Sequence, residues 1–176
     1  YYWSTAFQDL SKILKPGDWV FLVSDIAYYT PLQREKEDDI RLGKLEIALE
    51  SLSNKLSDRG IKLAMLHGLP YARDANCEVS MGMRQWFNSI GKGPCTFFGK
   101  QETLARRKPL DDVLKKLEKN RKLVTVDLLP VFCPFTICSY EGLGGTLIYR
   151  DASSHPSSEA INNAAPLMRK IFNQVR

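Results

Sequence analysis

Long apolar runs are missing from this 176-residue sequence. None approaches the roughly 20 residues that cross a bilayer as a helix, and no basic stretch leads into an apolar one as in a signal peptide. Histidine is scarce: His67 and His155 are the whole supply. Two imidazoles are too few for a convincing zinc site, and none of the four cysteines stands in a Cys-x-x-Cys pair, so no metal is expected. No strand-like run is followed by a glycine-rich loop that opens a helix. The "GLGG" of residues 142–145 precedes the short run "TLIY" instead, which argues against a phosphate-binding domain, and no cofactor is expected. Internal repeats and low-complexity linkers are also lacking, so one domain is expected over residues 1–176.

What is present is ample apolar material, 44% of the chain, enough for one core. The net charge is +5, and residues 100–122 supply much of the excess: nine Lys and Arg against four acids. Aromatic residues are not interleaved with these bases as in stacking platforms for single strands. The run therefore reads as the solvated face of a helix, and nucleic acid is not an expected partner. The opening "YYWSTAFQDLSKIL" reads as an aromatic-rich amphipathic helix already in progress, as in a domain cut from a longer chain. Free buried thiols fit Cys77, Cys95, Cys133 and Cys138 as well as two bridges do, Cys133–Cys138 and Cys77–Cys95, which would imply an oxidising compartment.

The pattern along the chain alternates. "DWVFLVSD" is a continuous apolar run bounded by polar residues, as in a buried parallel strand. Leu45, Leu49, Leu52 and Leu56 then share one helical face, and Gly60 is a natural stop. "IKLAMLHGLP" is a second strand. Between 71 and 107 the pattern predicts a short helix near Met81–Ile90 and otherwise loop. A helix over 109–119 starts at Pro109, with Asp111 and Asp112 in its first turn, lysines later and Asn120 as its stop. "KLVTVDLL" is a third strand. A last helix over about Ser157–Phe172 turns Ile161, Ala164, Ala165, Met168 and Phe172 inward, and Pro166 should kink or interrupt it. Strand–helix alternation means parallel strands and right-handed crossovers, an α/β domain.

In such sheets ligands meet the carboxyl ends of the strands, and both histidines fall in strand-end or helix-entry loops. In "YRDASSHPS", Asp151 lies four residues before His155. A carboxylate on one imidazole nitrogen fixes the tautomer that lets the other take a proton from a serine hydroxyl. A solvent-exposed His beside an Asp that caps a local turn fits the same spacing. His67 reads as a partly buried structural residue. Ser24 and Asp25 read as ordinary polar residues at the end of the first strand.

The closing third, "VTVDLLPVFCPFTICSYEGLGGTLIYRDASSHPSSEAINNAAPLMRKIF", resembles the end of SGNH hydrolase-like domains. The nearest variety is the one fused to acyltransferase-3 membrane proteins such as bacterial O-antigen acetylases. The residues that carry the resemblance are Val124–Leu129, Cys133 and Cys138, Tyr149, Asp151, His155-Pro156-Ser157 and Ala165-Pro166. "LKPGDWVFLVSD" and "LPYARDANC" look like the family's central strand and its proline-to-cysteine loop.

The resemblance implies a flavodoxin-like three-layer α/β sandwich on a parallel sheet, here without its first strand or strands. It implies a serine esterase or O-acyltransferase that acts on acyl esters of carbohydrate, with His155 as base and Asp151 as its orienting acid. It favours a Cys133–Cys138 disulfide, an extracytoplasmic setting and a parent chain that carries a membrane acyltransferase domain. Three departures stand out. The family's Gly-Asp-Ser nucleophile block occurs nowhere in the sequence and should lie upstream. Asp151 and His155 have three residues between them where the family has two, which puts Ala152 in the acid's usual slot. Near the family's oxyanion Asn stand Ser24 and Asp25, and an ionised Asp donates no hydrogen bond. These departures also fit a catalytically degenerate module that binds glycan or a protein partner.

Overall fold

The computed structural model describes residues 9–10, 12–23, 35–70, 72–73, 77–83, 95–151 and 155–174. Its centre is a three-stranded parallel sheet of β1 (Trp19–Leu22), β2 (Lys62–Leu66) and β3 (Val124–Val126), in the order β1-β2-β3. Trp19 stands beside Lys62, and Ala64 beside Val124. Alternation along each strand sends side chains to two cores. Val20, Leu22, Leu63 and Met65 join one of them, which is closed by α1 (Glu35–Ser57) and α3 (Lys100–Lys119). Trp19, Phe21, Ala64, Leu66, Val124 and Val126 join the other, together with α4 (Leu129–Phe132) and α5 (Ser158–Gln174). The result is a three-layer α/β sandwich.

Helix α1 presents Leu42, Leu45, Leu49, Leu52 and Leu56 to its core. It ends where Gly60 turns left-handed (φ +70°), with Gly60 N–H donating to Ser57 O and Ile61 N–H to Leu56 O. That paired closure satisfies the last carbonyls of the helix.

Helix α3 differs from expectation. It begins at Lys100, nine residues before the expected start, and Pro109 lies inside it. The buried stripe Thr103, Arg107, Leu110, Asp111, Leu114 and Leu117 runs straight past the proline. The carbonyl left without the Pro109 hydrogen bond is that of Ala105, an exposed residue. Of the short helix expected over Met81–Ile90, Met81 and Gly82 are helical, as the end of α2 (Val79–Gly82), and Met83 is already extended; residues 84–90 lie outside the described residues.

Helix α5 also runs unbroken through a proline, Pro166. The carbonyl orphaned there is that of Asn162, again exposed. Ile161, expected to face inward, is 57% exposed. The inward stripe is instead Ala160, Ala164, Leu167, Met168, Ile171 and Phe172. Two alanines at its start let the helix lie close to the layer beneath, and Ile161 is turned about 100° from Ala160 and about 60° from Ala164. Phe172, near the end of α5, packs on Trp19 and Phe21 of β1, with ring centroids 4.8 and 6.1 Å away. Since Trp19 opens its strand, α5 runs against the strands. Its first turn, and the loop that feeds it, lie toward their carboxyl ends.

Candidate functional site

The loop that enters α5 is closed by backbone pairing. Tyr149 and Pro156 form an antiparallel bridge: Arg150 N–H donates to His155 O at 2.9 Å, and Ser157 N–H donates to Ile148 O at 2.9 Å. Ser157 then caps α5, its Oγ accepting from Ala160 N–H at 3.0 Å. Glu159, in the first turn, accepts from Leu147 N–H at 2.8 Å and ties the helix back to the strand-like segment.

Within this closed loop Asp151 meets His155. Nδ1 of His155 stands 2.8 Å from Asp151 Oδ2 and 3.0 Å from Oδ1, and the His155 backbone N–H reaches Oδ1 at 3.2 Å. One carboxylate thus meets both the backbone and the ring of the residue four positions on. The two readings of the spacing are not exclusive, because the same group caps the turn and holds the ring. With the carboxylate at Nδ1, a neutral ring carries its proton there and leaves the Nε2 lone pair outward. The imidazole side chain is 58% exposed. Arg150 Nε stands 3.5 Å from the same carboxylate.

Behind the turn lies an aromatic cluster. Tyr149 is fully buried, stacked on Phe97 and tilted against Phe132, with centroids at 5.7 and 5.5 Å. Its hydroxyl donates to Pro70 O, on the segment that leaves β2. Tyr140, edge-on to both Phe97 and Tyr149, donates to Cys77 O at 3.2 Å. Burial pushes both phenols above their ordinary pKa, and the Asp151 charge adds to this at Tyr140. Disulfides Cys77–Cys95 and Cys133–Cys138 fasten the neighbouring loops. Both bridges left open by cysteine spacing are therefore formed.

His67 is a different kind of site. It is buried at the end of β2, with Nδ1 2.7 Å from Asp111 Oδ1. Arg107 stands beside it, Nε 2.9 Å from Asp111 Oδ2 but not aligned to donate. Its Nη1 donates to Gly68 O at 3.1 Å and to Asp127 Oδ1 at 3.0 Å, and its Nη2 donates to Asp127 Oδ2. Asp127 in turn accepts from Leu129 N–H at 2.9 Å. Burial alone would lower the Arg107 pKa, but Asp127 and Asp111 outweigh it and hold the guanidinium above its ordinary value. Burial alone would raise the Asp127 pKa, but Arg107 and the Leu129 N–H hold that carboxyl below its usual range. This fork locks α3 to the ends of β2 and β3. Arg107, expected on a solvated basic face, is 4% exposed. An arginine can leave water where two carboxylates and a carbonyl meet it.

Ser24 and Asp25 lie outside the described residues. Among the described residues no group of three His, Cys, Asp or Glu side chains is placed to hold a metal ion, and no helix is long and apolar enough to cross a membrane.

Residues 2–170 match the model of the family described as "SGNH domain (fused to AT3 domains)". The chain belongs to this SGNH domain family. No curated protein and no solved structure matches it. A parallel sheet between helical layers is the architecture that the resemblance implied, and the SGNH domain of acyltransferase-3 fusions is the variety to which its closing third pointed. Sequence reasoning missed the ion-paired unit of buried Arg107 and Asp111 with half-buried Asp127, and gave Tyr149 no role beyond resemblance. The signal for Tyr149 was its place, two residues before the acid on a strand-like run.

Proposed function

We propose that this SGNH domain supplies the base and the orienting acid of an ester hydrolase or O-acyltransferase that acts on acyl esters of carbohydrate. His155 takes the proton of a serine hydroxyl at Nε2, while Asp151 holds the Nδ1–H tautomer and stabilises the imidazolium that forms. The serine attacks the ester carbonyl and the acyl-enzyme passes its acyl group to water or to a sugar hydroxyl. The nucleophile comes from a Gly-Asp-Ser block outside this sequence. The observation that carries the reading is the 2.8 Å contact of the Asp151 carboxylate with Nδ1 of a more than half-exposed imidazole. Two disulfides and a family fused to AT3 domains support an extracytoplasmic domain tethered through a membrane acyltransferase in its parent chain.

The test is His155→Ala in the full-length parent. Ester turnover should fall by roughly 10³-fold or more; unchanged turnover rejects His155 as the base. The three departures in the sequence, above all that Gly-Asp-Ser is not among its residues, favour a second reading, a degenerate module that binds glycan or a protein partner. A fluorophosphonate probe separates the two: serine labelling in the parent supports the enzyme, and its absence supports the binding module.

A further inference from the structure

We infer that Tyr149 is a positioning residue that sets the Asp151–His155 pair against the exit of β2. The inference rests on the reading of that pair as acid and base. Asp151 and His155 lie toward solvent, with side chains 40% and 58% accessible. The residue two positions before Asp151 lies in the core. Tyr149 is fully buried, and its backbone forms the bridge with Pro156 that closes the loop. Its ring is gripped by Phe97, Phe132 and Tyr140, and its hydroxyl ends on Pro70 O.

A buried phenol needs an acceptor, and this one finds it on a segment 79 residues away. The bond therefore does two things. It satisfies Tyr149, and it fixes the distance between the acid–base turn and the end of β2, beside which the carboxyl ends of the parallel strands open. A ring held only by stacking keeps its slot but is free to slide along it. A hydroxyl on a backbone carbonyl removes that freedom. Displacement of a reacting group by about 1 Å can cost about 10²-fold in rate.

The substitution that isolates this role is Tyr149→Phe, which keeps the ring and deletes the bond. In the 176-residue chain, the readout is the tautomer of His155, followed by imidazole nitrogen and Nδ1-proton resonances. Tyr149→Phe should shift His155 away from the Asp151-bound Nδ1–H form and lose the protected Nδ1 proton, with the spectrum of the β2 core unchanged. His155 resonances that superimpose on those of the unaltered chain would overturn the inference. In the parent, kcat should fall by about 10-fold to 10²-fold with KM unchanged. A fall confined to KM would likewise overturn it. Should Tyr149→Phe not fold, amide exchange on the unaltered chain decides. The Arg150 and Ser157 amides must exchange as slowly as those of β2, and exchange as fast as exposed amides rejects a turn anchored by Tyr149. The tautomer readout does not depend on turnover. Turnover indifferent to His155→Ala would sink the catalytic reading and leave the tautomer result to stand or fall alone.

Discussion

The carboxylate of Asp151 grips His155 at two points, the backbone N–H at 3.2 Å and ring Nδ1 at 2.8 Å. One side chain therefore shapes the turn and orients the imidazole within it. The two roles separate under Asp151→Asn. An amide oxygen still accepts from the backbone N–H, but an amide cannot stabilise an imidazolium and permits the wrong tautomer. Asp151→Asn in the full-length parent should keep the fold and lose about 10³-fold to 10⁴-fold in ester turnover. Asp151→Ala should lose both turnover and the protection of the His155 amide against exchange. Equal turnover in the parent and in Asp151→Asn would remove Asp151 from the mechanism.

Asp127 makes acid stability a test of its fork with Arg107. Its carboxyl is held below the usual range by Arg107 and the Leu129 N–H, which outweigh burial. A depressed native pKa stabilises the fold fully above the unfolded value, near 4, and that share is lost as pH falls through the native value. Asp127→Asn should therefore be less stable than the unaltered chain at neutral pH and show a flatter decline between about pH 4 and pH 2. Urea unfolding midpoints across that window measure it. Parallel curves would mean that Asp127 is not linked to folding.

The strands were legible because a buried parallel strand is a continuous apolar run, and "DWVFLVSD", "IKLAMLHGLP" and "KLVTVDLL" are such runs. The first half of α3 was not legible, because Pro109 looks like a helix start and nothing local tells an interior proline from a first-turn one. What decides is the buried stripe from Thr103 to Leu117, and two of its members, Arg107 and Asp111, are charged. Their burial depends on Asp127, Gly68 and His67, partners distant in sequence. No periodicity of one segment carries that information. The Asp151–His155 contact lay nearer the reach of sequence, since both ends sit on one turn. The bridge that closes the turn, Tyr149 with Pro156, was not visible there.

Arg121 ends α3 in the left-handed region at φ +56°, with its N–H on Glu118 O and the Lys122 N–H on Leu117 O. This is the same closure that Gly60 makes after α1, but with a side chain in the strained position. A residue with a Cβ is less favourable there by about 1 kcal/mol. Arg121→Gly should therefore raise the stability of the chain by about 0.5–1 kcal/mol, less the entropy that glycine adds to the unfolded state. Chemical denaturation measures the gain. A loss would mean that the Arg121 side chain makes a contact worth more than its backbone strain.

The two disulfides should not contribute equally. Cys77–Cys95 joins residues 18 apart, and Cys133–Cys138 joins residues five apart. If a bridge acts by restricting the unfolded chain, its effect grows with the logarithm of the loop it closes, giving about 3 kcal/mol for the longer and about 2 for the shorter. Replacing Cys77 and Cys95 with serine should thus lower the urea midpoint more than replacing Cys133 and Cys138. Their links to the aromatic cluster sharpen the contrast. The carbonyl of Cys77 accepts the Tyr140 hydroxyl, whereas Cys133 and Cys138 bracket a loop that exposes Phe135 and Ile137. Loss of the longer bridge therefore loosens an anchor of the cluster behind the Asp151–His155 contact as well as the loop itself. The reverse order of midpoints would show that native packing around Cys133–Cys138, and not chain entropy, sets what these bridges are worth.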